Sequence, residues 1–288
     1  MHQRYSDYET VNATAQFVKG RIKRQPQLGI VCGSGLGQIP ELFENCETLP
    51  YADIPNFPIS TVKGHKGNLV FGTWQGASVV CMQGRIHPYE GVPMNLSVMP
   101  IRLMKLLGVR TIIITNAAGG VNPNYNVGDI MLIKDHIGLT CLAHPGPLVG
   151  ENDERFGPRF PSMSCVYDKR YRAMLKRMSE KCNIKIQEGV YCMTFGPQYE
   201  SPAEARSIRQ IGADAVGMST VHEVITAAHC GMKILGMSII TNKLCCDCDE
   251  VVDDVSHEEV LTVMTKASGK VLQLLSLFVK EWYDTQEL

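Results

Sequence analysis

The 288-residue sequence lacks an excess of charge of either sign. Its 28 lysines and arginines are matched by 29 aspartates and glutamates, which gives a formal net charge of -1 at pH 7. A chain with so little net charge has no broad electrostatic attraction to nucleic acid or to an anionic membrane, so we expect neither as a partner. It also lacks an apolar run long enough to span a bilayer. Any anion must therefore be recognised locally, by a few well-placed donors.

Secretory and metal-binding patterns are also missing. Residues Met1–Thr10 are polar and contain no apolar signal segment, so we expect a cytoplasmic protein whose cysteines remain reduced. The eleven cysteines are irregularly spaced. Three lie close together, at Cys245, Cys246 and Cys248, but a structural zinc site needs a second ligand pair at a suitable spacing. No bound metal is therefore expected.

Several well-known enzyme motifs are absent. The sequence has no Gly-x-Ser-x-Gly, no His-Glu-x-x-His and no kinase motif set, which disfavours hydrolases, metalloproteases and kinases. The segment Gly33–Gly37 is rich in glycine, but Gln38 occupies the place of the third glycine of a dinucleotide fingerprint, and no Gly-Lys-Ser/Thr follows as in a P-loop. Its glycines and Ser34 could surround an anion. Taken alone, a tight structural turn is an equally good interpretation.

The sequence does contain a regular alternation of short apolar runs and helix-like stretches. Capping boxes at Ser201 and Ser256 predict helix starts, and Gly108 and Gly231 predict helix ends. With no linker or repeat, residues 1–288 are predicted to form a single α/β domain with a mixed, twisted sheet flanked by helices. Strands are predicted at Leu28–Cys32, Leu69–Gly72, Ala77–Met82, Thr111–Thr115, Ile130–Ile133, Gly189–Met193 and Ile234–Thr241. Several of them are rich in β-branched residues with little polar alternation, as expected of strands buried on both faces.

Polar or glycine-rich segments follow most of these strands. In an α/β sheet the ligand lies beyond the carboxyl ends of the strands, so these segments predict one shared site. Arg85 offers a planar fork that suits phosphate oxygens, and His87 can point the same way two residues later. Taken singly, Arg85 is better interpreted as a surface arginine and His87 as a packed histidine. The nearby Gly84 and Gly91 favour a site instead. His65 lies between glycines and, from this segment alone, is best interpreted as the tip of a solvated hairpin.

Taken together, these segments resemble the family of trimeric purine nucleoside phosphorylases, along nearly the whole chain and in order. The matching stretches are Cys32–Gly37, Gly64-His65, Gln83–Gly91, Thr115–Gly120, Asn152–Gly157, Gly196-Pro197, Gly212–Thr220 and Thr241–Lys243. The resemblance implies a sheet that is partly barrel-like and a homotrimer. It implies phosphorolysis of purine nucleosides such as inosine and guanosine to free base and (deoxy)ribose 1-phosphate in purine salvage, with no cofactor.

The resemblance also assigns roles to individual residues. Asn242, Glu200 and His87 are implied to be catalytic, and Phe160 is similar to an aromatic residue that the neighbouring subunit adds to the ribose pocket. The implied phosphate-binding residues are Ser34, His65, Arg85, His87, Asn116, Ala117 and Ser219. The implied purine-binding residues are Ala117, Tyr199, Glu200, Val216, Gly217, Met218, Thr241, Asn242 and Leu244. The implied ribose-binding residues are Tyr89, Tyr199, Met218 and His257, with Phe160.

Three positions depart from the family pattern. Tyr199 stands where phenylalanine is usual, Leu244 replaces a usual valine, and Thr194 replaces a smaller residue. The nearest alternative is methylthioadenosine phosphorylase, which has the same chemistry on a 6-amino substrate. Aspartates near Asn242 would then be expected, so Thr241-Asn242-Lys243 argues against it. A nucleoside sensor without catalytic activity is a second alternative.

Overall fold

A nine-stranded sheet forms the centre of the computed structural model, which describes residues 7–62, 64–143, 145–246 and 256–286. The strands are β1 (Leu28–Val31), β2 (Glu44–Pro50), β3 (Asn68–Trp74), β4 (Ala77–Gln83), β5 (Thr111–Gly120), β6 (Ile130–Gly138), β7 (Ile186–Met193), β8 (Ala215–Gly217) and β9 (Lys233–Lys243). The helices are α1 (Tyr8–Lys19), α2 (Met94–Ser97), α3 (Met99–Leu107), α4 (Leu139–Ala143), α5 (Lys169–Lys181), α6 (Pro202–Gln210), α7 (Val221–His229) and α8 (His257–Asp284).

The sheet has an open half and a closed half. In the open half, β1 pairs in parallel with β4 and β5, and β3 and β2 extend the sheet beyond β4 in antiparallel order. In the closed half, the order β5-β8-β7-β6-β9 returns to β5 through the parallel β5–β9 pairing. The predicted mixed sheet with a partly barrel-like closure is confirmed.

Helices cover both faces of this sheet, as the apolar strand sequences predict. Successive residues of a strand point to opposite faces. Accordingly, Ile112 and Ile114 of β5 pack in the core on the side of α1, α3 and α7, whereas Ile113 packs on the side of α5 and α8. All three isoleucines are fully buried. Burial on both faces explains why these strands read as continuous apolar runs.

The predicted helix boundaries follow from local hydrogen bonds. The Ser201 hydroxyl accepts from the Glu204 N–H while the Glu204 carboxylate accepts from the Ser201 N–H, which opens α6. Ser256 and Glu259 open α8 in the same reciprocal way. Gly108 ends α3 with a φ of 108°, a left-handed conformation that glycine adopts without steric cost. Within the described ranges, none of the helices combines the length and the apolar character that crossing a membrane requires.

The structure differs from the sequence prediction mainly in β2, β5 and β6. β6 was predicted to end at Ile133 but extends to Gly138. β2 was not predicted, because this edge strand is mostly exposed and carries charged and polar residues rather than an apolar run. β5 extends to Gly120, so the segment Asn116–Gly120, predicted to follow the strand, is part of it. β8 and β9 pair with this extension and satisfy its backbone groups.

Candidate active site

A cavity that is open to solvent lies where β1, β4, β5, β8 and β9 end. It brings together most of the predicted site residues: Ser34, Arg85, His87, Tyr89, Ala117, Tyr199, Glu200, Val216, Gly217, Met218, Ser219, Thr241, Asn242 and Leu244. It is also lined by Ala118, Gly119 and Val260, which were not predicted. The predicted residues outside this lining are His65, Asn116, His257 and Phe160.

The glycine-rich segment after β1 passes close to β5. The Gly33 N–H donates to the Thr115 hydroxyl at 3.0 Å, and that hydroxyl donates to the Val31 carbonyl at 3.0 Å. A Cβ on Gly33 would lie only 2.7 Å from the Asn116 Cα. Glycine is therefore required for this approach, and the approach places Ser34 at the cavity wall.

Arg85 enters the cavity from the end of β4, held by a carboxylate that the sequence did not predict. Its Nε and Nη2 donate to the two carboxylate oxygens of Glu223 on α7, at 2.8 and 2.9 Å, and both side chains are almost fully buried. This pairing leaves the Nη1 end of the fork for an anionic ligand. Burial by itself would raise the pKa of Glu223, but Arg85 and His222 outweigh it and the pKa is lowered.

His87 stacks between two other rings. Its ring centroid lies 4.6 Å from that of Tyr89 and 5.4 Å from that of His65. Burial, together with the neighbouring His87, lowers the pKa of His65 to about 4, and burial also lowers the pKa of His87. Both imidazoles are therefore neutral near pH 7. His65 is partly buried against His87 rather than at a solvated tip, so that interpretation of its segment was wrong.

Glu90 joins the segment around His65 to the segment around His87. Its carboxylate accepts from the Ser60 hydroxyl at 3.3 Å, from the Thr61 hydroxyl at 2.9 Å, from the Thr61 N–H, and from the His87 N–H at 2.7 Å. Burial acts to raise the pKa of Glu90, but the hydrogen bonds from His87 and Thr61 lower it to about 2. Glu90 thus remains ionised and keeps the two segments together.

Ser219 reaches the cavity from the turn between β8 and α7. Its N–H lies 3.4 Å from the Tyr191 hydroxyl, and its own hydroxyl lies 3.2 Å from that of Thr220. Asn116, predicted to bind phosphate, lies behind this turn. Its Nδ2 donates to the Thr220 hydroxyl at 2.8 Å, so its contact is with Thr220 instead of the cavity.

Glu200 and Asn242 reach the cavity from the closed half of the sheet, Glu200 after β7 and Asn242 on β9. The Thr194 hydroxyl donates to Glu200 Oε1 at 2.8 Å, and the Thr241 hydroxyl lies within hydrogen-bonding distance of Asn242 Oδ1, at 3.1 Å, and of the Ala118 carbonyl, at 3.3 Å. With its oxygen on the side of Thr241, Asn242 has its Nδ2 as the group that can donate to a ligand. Burial raises the pKa of Glu200, partly offset by the Thr194 hydrogen bond. Leu244 packs directly over Gly119, where a Cβ would not fit.

The remaining predicted residues lie at the margins. His257 is the first residue of α8, and Val260, almost one turn later, lines the cavity. The side chain of Phe160 is 87% exposed on this chain. Cys248 lies outside the described residues. Within the described ranges, no three His, Cys, Asp or Glu side chains converge as metal ligands would.

The sequence alone contains little that would indicate Glu223, Glu90 and Thr220 as supporting residues of the site. Arg85 and Glu223 are 138 residues apart in the chain, so their pairing exists only once the sheet has formed. A buried arginine does require a carboxylate partner, but its identity cannot be read from spacing. Glu90 and Thr220 lie inside two of the stretches that carry the resemblance, Gln83–Gly91 and Gly212–Thr220, and beside predicted site residues, but those stretches gave them no role.

Known proteins are similar to this chain in both fold and sequence. The family profile described as phosphorylase superfamily matches residues 27–280. Purine nucleoside phosphorylase of Bos taurus is 48% identical over 276 residues, covering 94% of this chain and 94% of the bovine protein. The crystal structure of a Schistosoma purine nucleoside phosphorylase in complex with hypoxanthine is 39% identical, with a TM-score of 0.92 over 96% of this chain and 98% of its own.

A second solved structure is of purine nucleoside phosphorylase from Schistosoma mansoni in complex with inosine. It is 40% identical, with a TM-score of 0.91 over 96% of this chain and 97% of its own. Similarity of this extent, along nearly all of both chains, confirms the resemblance that the motifs predicted. The chain belongs to the purine nucleoside phosphorylase family.

Proposed function

We propose that this chain cleaves purine nucleosides such as inosine and guanosine with inorganic phosphate, giving the free base and (deoxy)ribose 1-phosphate. The observation that carries the proposal is that one cavity is lined by two chemically different sets of side chains. We assign Ser34, Arg85 and Ser219, which supply donors for an anion, to one end, and Glu200 and Asn242, which supply an acceptor and a donor, to the other. Two relatives were solved with hypoxanthine and with inosine, a base and a nucleoside of this reaction.

At the anionic end, phosphate is both ligand and nucleophile. Phosphate attacks C1′ of the ribose, so no side-chain nucleophile is needed, and the sugar passes through a state resembling an oxocarbenium ion. The anion held by Arg85 stabilises that positive charge electrostatically. His87, neutral because of its burial, contributes an imidazole N–H, and the backbone N–H of Ala117 and the nearby His65 complete the proposed phosphate site.

At the purine end, negative charge develops on the departing base. Asn242 Nδ2 is positioned to donate to N7 or O6 of the purine, where a preorganised donor stabilises this charge. Glu200 accepts from the N1–H of a 6-oxopurine. Ala117, Val216 and Met218 provide apolar contact with the base, and Tyr89, Tyr199, Met218 and His257 are proposed to surround the ribose.

The same groups favour 6-oxopurines over 6-aminopurines. Adenine has no hydrogen at N1, so it would leave the Glu200 carboxylate facing another acceptor, and leaving a buried acceptor unpaired costs affinity. Among the described residues, no aspartate lines the cavity beside Asn242 to accept from an exocyclic amine. The geometry therefore supports the 6-oxopurine reaction over that of methylthioadenosine phosphorylase.

Assembly, location and cofactors complete the proposal. The chain is proposed to act as a homotrimer in cytoplasmic purine salvage, with Phe160 of one subunit contributing to the ribose pocket of the next. Its large exposed ring supports this role, since exposed aromatic side chains are enriched at interfaces. The proposed reaction requires phosphate as co-substrate and neither a metal nor an organic cofactor.

The test is release of purine by the pure protein from inosine and, separately, from methylthioadenosine, each with and without phosphate. Phosphate-dependent cleavage of inosine, unaffected by EDTA, is the expected result. Cleavage of methylthioadenosine in preference to inosine would overturn the roles given to Glu200 and Asn242. Binding of inosine without cleavage would indicate a sensor instead of an enzyme.

A further inference from the structure

Thr220 has an unusual backbone conformation at the edge of the proposed phosphate site. Its φ is 76° and its ψ is -54°, and the Val221 N–H donates to the Ser219 carbonyl at 2.9 Å. These angles and this bond define a γ-turn whose central residue has a positive φ, a rare and strained form. Thr220 is β-branched and fully buried, which makes a positive φ especially unfavourable.

The surrounding contacts hold Thr220 in this conformation. Its hydroxyl oxygen accepts from Asn116 Nδ2 at 2.8 Å, and its carbonyl accepts from the Val224 N–H at 2.8 Å, the first bond of α7. Strain that is maintained by several contacts at once is typical of functional positions. None of the bonds within this turn needs a hydroxyl at position 220, since glycine would form the same turn more easily.

The hydroxyl matters instead for the direction of a chain of hydrogen bonds. The Asn116 amide N–H can only donate, so the Thr220 oxygen must accept from it. Among the described contacts, the acceptor in reach of the Thr220 hydroxyl hydrogen is Ser219 Oγ, at 3.2 Å. A buried hydroxyl hydrogen is costly to leave without an acceptor, so Thr220 donates to Ser219. The hydrogen of Ser219 is then left to donate into the cavity.

We propose that Thr220 is a positioning residue for the nucleophile: it transmits the donation from Asn116 to Ser219, so that the Ser219 hydroxyl faces phosphate as a hydrogen-bond donor. This inference rests on the proposed phosphorolysis. If Ser219 donated back to Thr220, its lone pairs would face the phosphate oxygens and repel them. Asn116 thus contributes to phosphate binding through Thr220, at a distance from the anion itself.

The first test compares Thr220→Val with Thr220→Ser. Valine keeps the shape and removes the hydroxyl, so the KM for phosphate should rise roughly 10-fold, as for one lost hydrogen bond to an anion. The KM for inosine should change little, because the purine end is untouched. Serine keeps the hydroxyl and should restore the phosphate KM. The control is Thr226→Val on α7, where the hydroxyl donates to the His222 carbonyl away from the cavity, and no change in phosphate KM is expected.

The second test uses Thr220→Gly, which separates positioning from folding. Glycine adopts a positive φ without cost, and this relief of strain offsets part of the cost of leaving Asn116 Nδ2 without its partner. The variant should therefore remain folded while the phosphate KM rises as in Thr220→Val. A purely structural role would instead leave the phosphate KM unchanged in this variant.

These outcomes distinguish the two hypotheses. If the unmodified protein does not cleave inosine in the presence of phosphate, the proposed function is wrong, whatever the variants do. If it does, an unaltered phosphate KM in both Thr220→Val and Thr220→Gly would overturn the positioning role. Equal increases in the KM for phosphate and for inosine would overturn it as well.

Discussion

At Glu200, burial and hydrogen bonding act on one carboxylate in opposite directions. Burial raises its pKa, and the Thr194 hydroxyl at Oε1 lowers it again without cancelling the shift. In the proposed reaction Glu200 must be ionised to accept from the purine N1–H. Activity should therefore be lost as the pH falls through this raised pKa. The threonine that departs from the family pattern thus extends activity toward lower pH.

Replacing Thr194 by valine tests this coupling. The variant loses the hydrogen bond but keeps the side-chain shape, so the pKa of Glu200 should rise further. The acidic limb of the profile of kcat/KM for inosine should move to higher pH by up to about one unit. The measurement is a series of initial rates across the acidic range, with Thr265→Val on the exposed side of α8 as the control. An acidic limb that does not move would remove Thr194 from this role.

Asn242 offers the second test at this scale. Asn242→Ala should lower kcat/KM for inosine by about 10²–10³-fold, the effect of removing one preorganised donor to developing negative charge. The KM for phosphate should remain close to normal because the anionic end is intact. Steady-state kinetics with each substrate varied in turn would measure both effects, with Asn12→Ala on α1 as the control. A rate close to normal with inosine would contradict the role of Asn242 at the leaving group.

Sequence identified the side chains that face the ligand better than those that support them. Arg85 follows β4 and Asn242 lies at the end of β9, and the ends of such apolar strands meet at one edge of a sheet, so their convergence was predictable. Glu223 and Thr220 act on these residues through contacts that arise from tertiary structure alone. The misjudged environment of His65 has the same origin, since His87 covers it only in the folded chain.

Among the elements, the glycine-rich segment after β1 is the one most constrained by its neighbours. Gly33 contacts β5, and Gly35 contacts α8 at Met264 while adopting a φ of 75°. The segment is therefore fixed from two sides, which keeps Ser34 at the cavity without any ligand being needed to order it. Such preorganisation reduces the entropy lost when a ligand binds.

Two glycine substitutions test this constraint. Gly35→Ala would bring a methyl group onto the Cβ of Met264 and force an unfavourable φ, so the free energy of unfolding should fall by about 1–3 kcal/mol. The displaced Ser34 should also raise the KM for phosphate. Gly37→Ala is the matched control, because a Cβ there would meet only the Gln83 Cγ, at 3.9 Å. Denaturant unfolding and phosphate kinetics should show a lower free energy of unfolding and a higher phosphate KM for Gly35→Ala than for Gly37→Ala. Equal values in the two variants would contradict the constraint on this segment.

Element boundaries were predicted best where short-range chemistry decides them. The capping boxes at Ser201 and Ser256 fix helix starts within four residues of chain, so sequence suffices. β2 and the extension of β5 depend on pairing with distant strands. An exposed edge strand needs no apolar run, and the glycines of Asn116–Gly120 favour a loop until β8 and β9 supply partners.

For the whole molecule, the exposed Phe160 predicts a dependence of each site on a neighbouring subunit. Light scattering should give a mass of about three times the 31.9 kDa chain, because the proposed assembly is a homotrimer. Phe160→Ala should raise the KM for inosine and leave the KM for phosphate unchanged, because the proposed contact is with the ribose pocket. Full activity in a monomeric protein would contradict both parts of this prediction.

The Arg85–Glu223 pair connects a strand from the first third of the chain to a helix from the last third. Each ion is almost fully buried, so separating them without solvation is strongly unfavourable. Local opening of α7 would leave Arg85 buried without its carboxylate partner, and opening at the end of β4 would leave Glu223 buried without its arginine. The two segments should therefore open in a single cooperative step. Amide hydrogen exchange should show matched protection in both, and dissolved phosphate should slow both by the same factor.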